Sequence, residues 1–288
     1  VAILGAGLSG ICMAIQLRKQ GIEDFVLVEK ADAVGGTWRE NTYPGVACDV
    51  PSHVYSFSFE LNPNWSHSYS SGREIWDYCE RCVDKYGLRE RILFGCTVTD
   101  VVLDGACWRI RTDDGREITA DLVVSGLGGL HLPNRAPIEG IESFAGPRFH
   151  TAQWDHGVDL HDRRVAIIGT GASTAQVLPG IAGDVAAVTV FQRSAAWVFP
   201  RLAQDIPERR RALYRRFPWL MRLYRWYLWS FMDFVGTLSL RRKTLFAARL
   251  KRAGRRHLDE QVRDPVLRAR LTPDYEPGCK RRCISDDY

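Results

Sequence analysis

The chain opens on a short apolar run, Val1 to Leu4, that passes directly into Gly5-Ala6-Gly7-Leu8-Ser9-Gly10 and then into the apolar-periodic stretch Ile11 to Lys19. A strand, a glycine turn and a helix in that order leave few folds open. In a parallel α/β unit the first glycine permits the turn, the second lets the backbone approach a pyrophosphate, and the third packs helix against strand. Gly5, Gly7 and Gly10 take those places, with Ser9 inside the same turn. Phe25 to Glu29 supplies the next strand. Glu29 ends it 19 residues after Gly10, where a carboxylate can accept hydrogen bonds from a ribose hydroxyl.

The same layout recurs near the middle of the chain. Val165 to Ile168 is the strand, Gly169-Thr170-Gly171-Ala172-Ser173-Thr174 the turn, a helix runs to about Ile181, and Val188 to Phe191 is the following strand. Thr174 stands where a third glycine would, which relaxes helix packing but keeps the two glycines a phosphate needs. Arg193 follows the second strand where the first unit has Glu29, and a guanidinium suits a 2′-phosphate as a carboxylate does not. The second nucleotide is therefore expected to be NADP.

Two such units fit 288 residues, a length that allows two buried cores. The fold class expected is α/β, with two Rossmann-like dinucleotide-binding domains and a helical insertion in the second. Helix is predicted over Gly72 to Tyr86, and strands around Ile92 to Leu103, Trp108 to Thr112 and Asp121 to Ser125. A Pro- and Gly-rich stretch, Leu132 to Gly146, reads as the crossing between domains. The boundaries expected are a first domain over 1–130, a linker over 131–160, and a second domain over 161–288 with its insertion at about 201–270. Arg201 to Arg256 carries 16 basic against 3 acidic residues, and three Trp lie between Phe217 and Leu240. Arg222 and Arg225 interrupt that stretch too early for a membrane span. A nucleic-acid or membrane-surface role for it is the weaker reading. The eight cysteines lack the spacing of a secreted framework, so reduced thiols and a cytoplasmic location are expected. Cys79 and Cys82 share one helical face with Ile75, Val83 and Tyr86, which reads as packing and not as a redox or zinc pair. No metal set is expected.

The loop after Glu29 contains Gly35-Gly36-Thr37-Trp38, Tyr43-Pro44-Gly45 and Asp49. Its glycines can bring backbone N–H groups near a pyrophosphate or a flavin ring, the Trp38 indole can cover an apolar ring face, and Asp49 can anchor a cation. The stretch GGTWRENTYPGVACD resembles, position by position, the pattern [A/G]GxWxxxx[F/Y]P[G/M]xxxD of Baeyer-Villiger monooxygenases. Phe144, Gly146, His150, Trp154 and Asp155 resemble that family's FxGxxxHxxxW[P/D] fingerprint. Two long patterns in order, between two dinucleotide motifs, make the resemblance specific.

The resemblance implies a type I enzyme with FAD in an incomplete first domain and NADPH in the second, on a chain shorter at both ends than other family members. It implies an NADPH- and FAD-dependent monooxygenase that inserts one oxygen of O2 beside a ketone carbonyl, through an anionic C4a-peroxyflavin. Within GCKRRC, Lys280 matches the family's lysine near the NADP 2′-phosphate and Arg281 its arginine over the flavin. Arg281 would stabilise anionic oxygen without protonating it, and Asp49 would hold Arg281 in place. Gly36, Thr37, Trp38 and Tyr55 join the flavin-side set, while Gly169 to Thr174, Arg193 and Lys280 form the NADP-side set. His150 is expected to serve the interdomain hinge. The basic helical segment would line the substrate side, its aromatics forming a ketone pocket. The alternatives are a flavin monooxygenase of sulfides or amines, and a dinucleotide-binding protein without turnover. The disulfide reductase branch is disfavoured, since Trp38 occupies the region of its cysteine pair.

Overall fold

The computed structural model describes the chain apart from residues 130, 131, 135, 136, 241–244 and 281 and the side chains of 239 and 240. It divides into two compact units, one of Val1–Thr42 and Gly72–Trp154, the other of Tyr43–Ser71 and Asp155–Tyr288.

In the first unit the elements are β1 (Ala2–Leu4), α1 (Leu8–Lys19), β2 (Val26–Val28), α2 (Thr37–Glu40), α3 (Gly72–Lys85), β3 (Ile92–Leu93), β4 (Val98–Asp104), β5 (Cys107–Thr112), β6 (Glu117–Ala120) and β7 (Val123–Ser125). Strands β3, β2, β1 and β7 form a parallel sheet in that order, with Ile3 opposite Leu27 and Val124. Ala2, Ile3, Leu4, Leu27 and Val28 are all buried, so these strands are unbroken apolar runs, as a parallel sheet covered on both faces requires. Helix α3 buries Ile75, Tyr78, Cys79, Cys82 and Val83, the face read from the spacing. The single strand expected over Ile92 to Leu103 is two strands, parted by a turn at Gly95. Strands β4, β5 and β6 form an antiparallel meander. Ala2, Leu4 and Val28 pack in one core with Cys96, Ile110 and Ala120, which fastens the meander to the parallel sheet.

The second unit contains β8 (Arg164–Ile168), α4 (Ala172–Ile181), β9 (Ala187–Phe191), β10 (Trp197–Phe199), α5 (Glu208–Arg216), α6 (Pro218–Leu240), α7 (Leu245–Gln261), α8 (Pro265–Leu271) and β11 (Arg282–Ile284). β8 pairs with β9 and β10 with β11, both parallel, with Trp197 opposite Arg282 and Phe199 opposite Ile284. The Tyr43–Ser71 segment belongs here, whereas contiguous boundaries put it in a domain over 1–130. Backbone bonds explain its place: Ser68 N–H donates to Gln204 O at 2.8 Å, and Ile206 N–H donates to Ser66 O at 2.7 Å. Arg225 on α6 adds side-chain bonds to His53 O at 2.9 Å and Val54 O at 2.7 Å.

Helix α6 departs from expectation. Trp219, Leu223, Trp226, Trp229 and Phe234 are exposed on it, with no described wall of a pocket around them. Met221, Tyr224 and Arg225 turn toward the unit's own core, Tyr224 against the His53 ring, while Trp219, Leu223, Trp226 and Phe234 lie on the far side of the helix. No described helix is long and apolar enough to cross a membrane.

Candidate functional site

Each glycine turn ends a parallel strand and starts a helix. Gly7 is the N-cap of α1 and Gly171 that of α4, and neither helix has a side-chain cap or an acidic residue in its first turn. Both helix ends therefore offer backbone N–H groups with no built-in anion to compete for them. In the first unit a Cβ on Gly10 would lie 1.9 Å from Gly5 O, so only glycine lets α1 approach the strand this closely. Gly36, at φ +51°, comes so near the same turn that its Cβ would sit 3.2 Å from Gly7 Cα. The Gly36-Thr37-Trp38 segment thus packs on the first turn, while Ser9 is exposed at the head of α1. Buried Glu29 accepts from Ala6 N–H at 2.7 Å and from Ala31 N–H at 3.0 Å, so its carboxylate also braces the turn it closes.

At the second turn, a Cβ on Gly169 or Gly171 would meet nothing within 4 Å, an open cradle in front of α4. Thr174 is buried, as expected of a residue packed in place of the third glycine. Thr170 Oγ1 donates to Ser194 O at 3.3 Å, and Lys280 Nζ donates to Ser194 Oγ at 2.9 Å. Lys280 also lies over the Tyr275 ring, 4.5 Å from its centroid. Sequence neighbours Arg193 and Ser194 thereby bring two basic side chains to the end of β9, and Arg193 is exposed. The residues present fit a phosphorylated dinucleotide: uncapped N–H groups suited to a pyrophosphate, and two basic residues after β9 suited to a further phosphate.

Asp49 lies in the second unit with a set of partners the sequence did not disclose. Its Oδ1 accepts from Gln176 Nε2 at 3.0 Å and is 3.4 Å from Arg201 Nη2. Burial pushes the Asp49 carboxyl up, while Arg201 and the Gln176 amide pull it back. Arg201 also reaches Ile284 O at 3.3 Å, which ties β11 to the cluster. Neighbouring Cys48 is buried, and its thiol is pushed up to about 12, which suits packing and not redox chemistry. Arg281, the guanidinium expected beside Asp49, lies outside the described residues. Its flanking residues Lys280 and Arg282 fall in the same unit as Asp49.

Not every expected neighbour shares a unit. Trp38 and Asp49, read as one flavin loop, fall in different units, and Tyr55 goes with Asp49. His150 caps a short helical turn, its Nδ1 accepting from Ala152 N–H at 3.1 Å. Gln176 and Arg201 escaped the sequence reading. The available signals were a glutamine on the apolar face of a helix and an arginine directly after the Trp197-to-Pro200 run. Among the described residues no group of three or more His, Cys, Asp or Glu side chains could hold a metal ion.

The model of the pyridine nucleotide-disulphide oxidoreductase family matches residues 2–209. The chain belongs to that family. It is 44% identical over 290 residues to a Baeyer-Villiger monooxygenase of Pseudomonas aeruginosa, covering 100% of this chain and 55% of the relative. A crystal structure of cyclohexanone monooxygenase with bound epsilon-caprolactone superposes with a TM-score of 0.86 at 26% identity, covering 99% of this chain and 63% of that one. An oxidized steroid monooxygenase bound to NADP gives 0.85 at 30%, covering 99% and 62%. The resemblance read from the two fingerprints is borne out, as is the α/β fold with dinucleotide-binding domains. The chain spans between half and two thirds of the length of these relatives.

Proposed function

We propose that the complete enzyme is an FAD- and NADPH-dependent monooxygenase that inserts one atom of O2 beside a ketone carbonyl, giving an ester or lactone and water. The observation that carries this reading is the Asp49 cluster. An aspartate from the GGTWRENTYPGVACD stretch is held against Arg201 and against the helix that begins at the second glycine turn. Bound flavin, reduced by NADPH, supplies the oxygen-activating chemistry.

The chain's own residues orient and hold. Helix α1, the Gly36 segment and Glu29 form the flavin nucleotide's seat, with Trp38 and Tyr55 assigned to the flavin side. Gly171 at the head of α4 presents N–H groups to the pyrophosphate of NADPH, with Ala172, Ser173 and Thr174 in the first turn, and Arg193 and Lys280 neutralise its 2′-phosphate. Ionised Asp49 steadies a guanidinium, which keeps its proton at working pH and so stabilises anionic oxygen without protonating it. The family pattern gives that task to Arg281, and Arg201 is the described guanidinium at Asp49. The partners are then a small ketone and O2, with no nucleic acid and no integral membrane segment. The eight cysteines, which lack the spacing of a secreted framework, support a cytoplasmic location.

The test is NADPH consumption in air by the complete enzyme against cyclic, aromatic and aliphatic ketones, with mass analysis for one added oxygen. Ester or lactone formation is expected, and Arg281→Ala should still reduce flavin yet form no ester. Oxygenated sulfides or amines without ester would install the alternative monooxygenase. NADP binding without consumption would leave only a nucleotide-binding protein.

A further inference from the structure

Gln176 sits on the second turn of α4, is buried, and has every hydrogen-bonding position of its amide in use. Oε1 accepts from Tyr43 Oη at 2.9 Å and Ala47 N–H at 3.3 Å, and Nε2 donates to Ala47 O and Asp49 Oδ1, both at 3.0 Å. A primary amide has two donor hydrogens and two acceptor lone pairs, so this set is full. It also fixes the amide's orientation, because the reverse would set NH2 against the Ala47 N–H and oxygen against the Asp49 carboxylate. All four partners come from one short stretch, 43–49, more than 120 residues away in sequence.

The backbone of that stretch lies on the same helix face. A Cβ on Gly45, at φ +80°, would come within 2.5 Å of Gln176 O, and one on Gly180 within 3.0 Å of Pro44. Tyr43 also hydrogen-bonds the side chain of Ser173, in the first turn of α4. Residues 173, 176 and 180 stand three and four apart, one stripe of a helix. One end of α4 is the cradle at Gly171, and its side carries the aspartate loop.

We propose that Gln176 is a positioning residue, which sets the orientation and charge state of the Asp49 carboxylate and couples it rigidly to the helix that seats NADPH. The proposal rests on the functional reading above only for what Asp49 does in catalysis. Among the described residues the charged and titratable groups facing Asp49 are Arg201, Tyr43, Cys48 and Tyr69. None of them replaces the amide, since among the described residues only Gln176 bonds both the carboxylate and its loop backbone.

Carboxyl-carbon NMR titration of Asp49 and amide hydrogen exchange test this on the chain itself. Gln176→Leu keeps an apolar stem and removes all four bonds. It should raise the Asp49 midpoint and speed exchange at Ala47 N–H about tenfold or more, with β8 and β9 amides unchanged. Gln176→Glu places a second carboxylate against Asp49 and should raise the midpoint further. An Asp49 midpoint and an Ala47 exchange rate equal to wild type in either folded variant would overturn the proposal. If neither variant folds, wild-type protein decides. The Gln176 side-chain amide protons should exchange slowly and shift as Asp49 titrates, and exchange as fast as a free amide would overturn the proposal. In the complete holoenzyme, Gln176→Leu should cut kcat for ketone oxygenation about tenfold or more and leave KM for NADPH within about threefold. An Asp49→Asn holoenzyme with full oxygenation would sink the functional reading while leaving the placement of Asp49 by Gln176 intact.

Discussion

Gly10 and Gly171 both belong to nucleotide turns, yet a methyl group would act oppositely at them. At Gly10 it would meet the Gly5 carbonyl oxygen at 1.9 Å, a backbone atom with nowhere to go. Gly10→Ala is expected to cost about 3 kcal/mol, read by urea unfolding, because strand and helix must separate. At Gly171 the backbone has φ −80° and the added carbon meets nothing. Gly171→Ala should leave stability within about 1 kcal/mol while weakening NADP+ binding about tenfold, measured by calorimetry, since the methyl would occupy the ligand's space. The close packing at Gly10 was legible in the sequence because motif and flanking elements agree. The burial of Glu29 at the end of β2 agrees with its place in the motif, but its bonds to Ala6 and Ala31 were not legible, since a sequence does not show which carboxylates are already engaged. Thiol chemistry gives a further contrast. Burial pushes Cys48 and Cys79 up to about 12, while Cys279 is exposed. Iodoacetamide at pH 8 should label Cys279 in the folded chain and spare the other two, as mass spectrometry of the digested protein would show.

At the scale of elements, the packing of α5 and α6 on the 43–71 segment turns on His53. Its ring meets Tyr214 of α5 and Tyr224 of α6 edge-on, both at 5.3 Å. Burial, with Arg210 nearby, lowers the His53 pKa from 6.5 to about 4, and its Nε2 is buried without a hydrogen-bond partner. Between those two pH values the unfolded chain takes up a proton that the folded chain refuses. Stability from this group is complete above about pH 6.5 and falls as pH drops toward 4, by about 3 kcal/mol once His53 is protonated. His53→Phe should flatten that part of the profile, so the difference between urea unfolding at pH 7 and pH 4.5 shrinks relative to wild type. An unchanged difference would show that the ring is charged or wet in the folded chain. Helix α3 and the strands of both nucleotide units were readable from their periodicity, because local pattern and burial coincide there. Strand β11 was not legible, because three residues carry no periodic signal and their pairing partner, β10, lies more than 80 residues earlier. The exposure of the α6 aromatics was not legible for a related reason, since composition announces apolar surface without saying which way it faces.

For the whole molecule, the order of the chain and the membership of its units disagree, and the disagreement places the candidate chemistry. Residues 43–71 leave the first unit and return to it at Gly72, having contributed Asp49 and Tyr55 to the second. A contiguous reading cannot find such an excursion. Its cause is a handful of bonds between distant residues, of which those from Gln176, Gln204 and Ile206 are the clearest. The aspartate loop and α4 should accordingly respond together to a nucleotide at the second turn. Binding that quiets the first turn of α4 would be transmitted along a helix too stiff to absorb it, and through Ser173 and Gln176 to the stretch 43–49. Hydrogen exchange with and without saturating NADP+ checks this. Exchange should slow across 43–49 as well as across 169–181, and NAD+ should give less slowing at equal concentration because it lacks the phosphate that Arg193 and Lys280 are proposed to neutralise. Slowing confined to 169–181 would mean that the loop hears nothing of the nucleotide, and that the bonds from α4 hold it in place without coupling it.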